Sequence, residues 1–168
     1  DVYKRQRSST QTAHAEREDT HVQPKESGGT LAPQTHWIAY TDGSCVDNKK
    51  PPKERKSAGW GFMILRNEAY ITDQLGPVVI DAHSPFYTGA EAYSNNVAEL
   101  TGVLEALHEL AKKVGQTDTI NIVYDSKYAA YSAIGLYQGA TNQKLVGEVK
   151  EKIFQLSKNY NIFFTHVK

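Results

Sequence analysis

Three carboxylates stand out in this sequence because each sits at the end or flank of an apolar element. Asp42 follows the run Trp37-Ile38-Ala39-Tyr40-Thr41, and Asp125 follows Ile120-Asn121-Ile122-Val123-Tyr124. Glu99 lies in the first turn of a segment with helical periodicity. Acids at the C-terminal ends of parallel strands share the sheet edge where open α/β sheets bind ligands. A glutamate on the flank of the helix's apolar stripe leans over that same edge. Carboxylates brought together repel unless a cation neutralises them, and oxygen-only donors favour the hard ions Mg²⁺ or Mn²⁺. Two such ions would activate a water and stabilise the leaving oxygen of an in-line phosphodiester displacement.

Each acid also has a purely structural reading. Asp42 before Gly43 fits a turn. Glu99, three residues after Asn96, fits a capping box with Asn96 as N-cap. Asp125 fits the N-cap of the helix that follows it. None of these accounts for the residues around the acids.

The elements that must position the acids follow from apolar periodicity. Both alternating faces of Trp37 to Thr41 are nonpolar, which suits a central strand covered on two sides. Asp42-Gly43-Ser44 reads as a turn, followed by a polar loop from Val46 to Lys56. That loop carries Lys49, Lys50, Lys53, Arg55 and Lys56 against Asp47 and Glu54, and is either a solvated loop or a phosphate-contacting flap. Gly59 to Leu65 and Ala69 to Gln74 read as a hairpin around Arg66-Asn67-Glu68. Val97, Leu100, Leu104, Leu107, Ala111 and Val114 recur at steps of three and four, predicting a helix from Asn96 to Val114 stopped at Gly115. Ile120 to Tyr124 is a β-branched-rich strand parallel to the first. Helices at Ser126 to Leu136 and Gln143 to Lys158 and a strand at Asn161 to His166 complete the order β-β-β-α-β-α-α-β.

Composition sets the limits. A chain of 168 residues has room for one sizeable core. No apolar run approaches the roughly 18 residues of a membrane helix, so no membrane partner is expected. Net charge is zero, so bulk electrostatics give no reason to expect a nucleic-acid binder and any such case rests on local features. The lone Cys45 excludes an internal disulfide and fits a reducing, intracellular compartment, cytoplasm or nucleus. Residues 1–35 are rich in Gln, Thr, Ser, His, Glu and Arg and are expected to be disordered. Asp1-Val2-Tyr3-Lys4-Arg5-Gln6 resembles the in-frame translation of a library adapter and is set aside. Residues 36–168 form the expected domain.

Four strings then carry a resemblance. Thr41-Asp42-Gly43-Ser44-Cys45, Ala58-Gly59-Trp60-Gly61-Phe62, Asn95-Asn96-Val97-Ala98-Glu99-Leu100 and Tyr124-Asp125-Ser126-Lys127-Tyr128-Ala129 resemble, in order, those of the ribonuclease H family. The resemblance implies an α/β ribonuclease H-like fold, a five-stranded mixed sheet flanked by helices, with the closing C-terminal helix absent. It implies hydrolysis of the RNA strand of RNA/DNA hybrids with two Mg²⁺ ions, or Mn²⁺, giving 5′-phosphate and 3′-hydroxyl ends. Asp42, Glu99 and Asp125 match three of the family's four metal-binding acids. The fourth, with a mobile His, would follow Lys168, so His166 is expected to be an ordinary strand residue. Asn95 and Asn96 match minor-groove contacts, where an amide can both donate and accept and so read a 2′-hydroxyl. Gly43, Ser44 and Cys45 match a segment that follows the RNA backbone, and Ser126 completes the expected substrate contacts. A looser likeness to ribonuclease H domains of eukaryotic retroelements suggests a reverse transcriptase domain in the same polyprotein and a monomeric state. The alternatives are a non-catalytic binding or connection domain of that fold, or a strand-transfer enzyme, whose essential Glu comes after the last strand instead of the third.

Overall fold

The computed structural model describes residues 34–115, 118–126, 128 and 141–167. Residues 1–33, and most of the helix expected from Ser126 to Leu136, lie outside the described residues. Strands β1 (His36–Cys45), β2 (Ala58–Arg66), β3 (Ala69–Pro77), β4 (Thr119–Tyr124) and β5 (Asn161–His166) form one sheet in the order β3-β2-β1-β4-β5. β1 to β3 pair antiparallel, whereas β4 runs parallel to β1 and β5 parallel to β4. Helices α1 (Asn95–Ala111) and α2 (Gln143–Ser157) accompany the sheet. This is the expected mixed α/β architecture. Among the described residues no helix is long and apolar enough to cross a membrane.

β1 is longer than the apolar run alone suggests. Asp42, Gly43 and Ser44 do not turn; they continue the strand, paired with Gly61, Trp60 and Gly59. The reading of Asp42 as a turn residue therefore fails, because β2 supplies ladder partners that local sequence cannot reveal. The expectation of two covered faces also fails for the described residues. Trp37, Ala39 and Thr41 are buried, but Ile38 is only half-buried and Tyr40 is exposed. The β2–β3 hairpin forms as expected, with Asn67 (φ 48°) and Glu68 (φ 68°) both left-handed, as a two-residue turn matched to the strand twist requires.

α1 packs across β1 and β2 on one side and against α2 on the other. Its burial consequently exceeds one stripe: Val103, Ala106 and Leu110 are buried along with the expected Val97, Leu100, Leu104 and Leu107. Ala111 is exposed, at the helix's last residue. The N-cap is Ser94, whose hydroxyl accepts from the Val97 N–H at 3.1 Å. Asn96 is thus already inside the helix and Glu99 is not the partner of a capping box. At the opposite end of the sheet the buried Asp118 carboxylate accepts the Trp37 indole N–H at 2.7 Å and the Gly115 N–H at 2.6 Å. That bond ties the start of β4 to the start of β1 and so sets their relative height.

α1 can lie this close to the sheet only because of glycine. A Cβ on Gly43 would sit 2.3 Å from both the Ala98 carbonyl carbon and the Glu99 nitrogen, main-chain atoms that cannot swing aside. On Gly102 it would meet the Asp42 and Gly61 carbonyl oxygens at 3.1 and 3.2 Å, a milder conflict. Gly43→Ala is therefore expected to destabilise the protein by about 3 kcal/mol through overpacking. Gly147→Ala in α2, where nothing lies within 4 Å, should gain up to about 1 kcal/mol from helix propensity. Chemical denaturation measures both, and a Gly43→Ala protein as stable as its parent would contradict this packing.

Candidate active site

The strand register brings two of the acids level. The last β1–β4 pair is Tyr40 with Val123, and Asp42 and Asp125 each stand two residues beyond it on neighbouring parallel strands. Such strands run about 4.8 Å apart. Glu99 joins them through the Gly43 contact, since its own backbone nitrogen is what Gly43 lies against. Strand, helix and strand end thus direct three acids at one sheet edge.

Asp42 and Asp125 are exposed and Glu99 is half-buried. The Glu99 carboxyl is held above its ordinary pKa of 4.5, first by burial and then by the negative charges of Asp125 and Asp42. A hydrogen bond from the Ser126 side chain works in the opposite direction. Among the described residues, one Glu99 oxygen, Oε2, is buried without a hydrogen-bond partner. Buried carboxylate oxygens are rarely left so, and like charges around one add to the cost unless a cation neutralises them.

Among the described residues, no three Asp, Glu, His or Cys side chains are gathered closely enough to hold an ion as they stand. Charge coupling and ligation differ in reach. Coulomb repulsion acts across several ångströms, whereas Mg²⁺ needs oxygens at about 2.1 Å. In donor chemistry the acids fit a hard divalent ion, and the orphaned Oε2 is the atom such an ion would satisfy.

The other expected site residues divide by position. Asn96 is exposed in the first turn of α1, and Ser44 is exposed on β1. Asn95 is half-buried, and its side-chain oxygen accepts the Cys45 N–H at 2.8 Å, which ties β1 to the start of α1. The Gly43 N–H donates to Asp42 Oδ1 at 2.7 Å, and the Cys45 thiol donates to the Val46 carbonyl at 3.3 Å. Ser126 meets Glu99 directly. The expected N-cap role of Asp125 concerns a segment that lies mostly outside the described residues.

Three contacts were missed from sequence. Asn48 Oδ1 accepts the Asn95 N–H at 3.0 Å, and Arg55 donates to the Tyr93 carbonyl at 2.9 Å, so the β1–β2 loop is latched to the entry of α1. Nothing local in the loop signals either contact. His166 was legible in principle: strands paired from Thr119 and Asn161 bring it opposite Tyr124. Its ring lies 5.6 Å from that of Tyr124, and its Nε2 is 2.9 Å from the Asp125 carbonyl oxygen. It is a strand residue, as expected, but one that holds the main chain beside Asp125.

The chain matches the RNase H family over residues 34–168. No curated protein sequence matches it. Among solved structures, RNase H1 from the halophilic archaeon Halobacterium salinarum NRC-1 is similar with a TM-score of 0.55 at 19% identity, over 79% of this chain and 85% of that one. LC11-RNase H1, isolated from compost by a metagenomic approach and solved in complex with an RNA/DNA hybrid, is similar with a TM-score of 0.58 at 20% identity, over 78% and 84%. The foamy viral protease-reverse transcriptase in complex with dsDNA gives 0.50 at 18%, over 79% and 82%. At these identities the likeness is one of fold.

The position of Glu99 has a pH signature. Its folded pKa is raised, so the folded state holds the Glu99 proton more tightly than the unfolded chain does. The stability this contributes is fully present below the ordinary glutamate pKa and is lost as pH rises through the folded value. Without divalent ions, Glu99→Gln should therefore melt higher than its parent at neutral pH, and the difference should vanish below about pH 4. Added Mg²⁺ should stabilise the parent more than the variant. Thermal melts across pH measure this, and a Glu99→Gln protein less stable than its parent at neutral pH would count against the repulsive cluster.

Proposed function

This chain belongs to the RNase H family, and from that premise we propose that it hydrolyses the RNA strand of RNA/DNA hybrids at Asp42, Glu99 and Asp125, with two Mg²⁺ ions, or Mn²⁺, as cofactor. The observation that carries the reading is that Glu99 Oε2 is buried without a partner among the described residues, beside two further carboxylates, an arrangement that is unfavourable without a cation. Bound there, the ions would lower the pKa of the attacking water and offset charge on the leaving oxygen, giving 5′-phosphate and 3′-hydroxyl ends.

The chain's own residues supply position. Asp42 is fixed within a paired strand and Glu99 within a helix, so both are held by the ordered core. Ser126 orients the Glu99 carboxylate by hydrogen bonding. Asn96, exposed at the start of α1, is placed to read a ribose 2′-hydroxyl and base edges in the minor groove. Asn95 keeps its oxygen on Cys45 and has its amide N–H groups for the substrate. Gly43, Ser44 and Cys45 offer a flat approach for the RNA backbone, with Ser44 the most exposed side of it. That the domain works beside a reverse transcriptase, and as a monomer, is part of the same proposal and rests on the resemblance.

The test is cleavage of an end-labelled hybrid in Mg²⁺. RNA in the hybrid should be cut while double-stranded DNA is not. Asp42→Asn should lower the rate by on the order of 100-fold or more, the scale of losing one electrostatic stabiliser, with an unchanged circular dichroism spectrum. Cleavage retained by a folded Asp42→Asn protein would defeat the mechanism. Hybrid binding without cleavage by the parent chain would instead favour a non-catalytic binding domain.

A further inference from the structure

The β1–β2 loop, residues 46–57, is not accounted for by the three acids. It carries five cations, Lys49, Lys50, Lys53, Arg55 and Lys56, against Asp47 and Glu54, a net charge of +3 in a chain whose net charge is zero. Such a run is ordinarily a solvated surface, and two features here are unlike one.

The loop is held in place. The Val46 N–H donates to the Ser57 carbonyl at 3.0 Å, closing its base, and Pro52–Glu54 forms a 3-10 turn. Arg55 donates to the Lys50 carbonyl at 2.9 Å and to the Tyr93 carbonyl at 2.9 Å, while Asn48 holds the Asn95 N–H. The loop therefore stands against the residues that open α1, next to Asn96 and one helical turn from Glu99.

The cations also divide into two sets. Lys50 pairs with Asp47 at 3.1 Å and Arg55 is half-buried in the latch. Lys49, Lys53 and Lys56 are exposed, and among the described residues none has an ion-pair partner. A fixed loop carrying three ammonium groups without ion-pair partners among the described residues concentrates positive potential beside the start of α1.

We propose that loop 46–57 is a second contact for the nucleic-acid duplex held at the acids, with Lys49, Lys53 and Lys56 engaging its phosphodiester backbone beyond the scissile position. The inference rests on the proposed function, because the ligand is the same duplex. The loop supplies affinity and orientation and no chemistry: backbone contacts release condensed counterions and carry no sequence information.

The test is binding of an RNA/DNA hybrid by fluorescence anisotropy across a salt series, with Ca²⁺ as the divalent ion, comparing the parent with the combined Lys49→Ala, Lys53→Ala and Lys56→Ala variant. Each lost phosphate contact should reduce the slope of log affinity against log salt by about 0.9, so the slope should become shallower by roughly two to three. Lys150→Ala, Lys152→Ala and Lys158→Ala together change the net charge equally but lie on or beside α2, and should leave the slope near the parent's. An unchanged slope in the loop variant, with the parent binding the hybrid, overturns this inference alone. Equal effects of the two triple variants overturn it too, by reducing the loop to net charge. Failure of the parent to bind the hybrid overturns the functional reading and the inference with it.

Discussion

The site depends on one close contact, between Gly43 of β1 and the Ala98–Glu99 peptide of α1. A helix ordinarily rides on a sheet at a distance set by side chains at the contact. Here that spacing is removed at one point, because any side chain at Gly43 would overlap main-chain atoms of the helix. The helix dips at its first turns, and Glu99 arrives beside Asp42 without needing a loop to carry it. Gly102 repeats the device one turn later against the Asp42 and Gly61 carbonyls. Two glycines thus set the height of α1 over the sheet, and Asp118, through Trp37 and Gly115, sets the height of β4 beside β1.

The resulting cluster stands against the stability of the fold. Burial and two neighbouring negative charges oppose ionisation of Glu99, and one of its oxygens has no partner among the described residues. The core packs around this arrangement because the cost is local, whereas the apolar contacts of α1 run along its whole length. Strain of this kind, held in place by an otherwise consistent fold, is the pattern expected where a sequence is shaped for binding as well as for folding.

Most of the fold was legible in the sequence because its elements are strongly periodic. β5 and the hairpin follow from alternation and turn residues, and α1 from its three-and-four spacing. What was not legible is non-local. Asp42-Gly43-Ser44 looks like a turn until β2 supplies its ladder partners, and Asn96 looks like an N-cap until Ser94 is seen to accept the Val97 N–H. The one exposed face of β1 could not be inferred from Ile38 and Tyr40, since nonpolar residues say what tolerates burial and not what covers them. For the site, the three acids could be found as residue types at element ends, but their common height depends on the Tyr40–Val123 register and on the Gly43 contact, neither of which has a local signature.

The acids differ in how firmly the fold holds them, and the difference follows from where each stands on its element. Asp42 has ladder pairing with Gly61, and Glu99 has a helix around it. Asp125 has neither, because β4 ends at Tyr124 and the strand pairs stop one residue short of it. Its backbone is held instead from β5: the Val167 N–H donates to the Tyr124 carbonyl at 2.9 Å, and His166 Nε2 lies on the Asp125 carbonyl oxygen with its ring against that of Tyr124. Ser126, one residue further, is engaged by Glu99. Asp125 thus stands between main-chain contacts from β5 on one side and the Ser126–Glu99 hydrogen bond on the other.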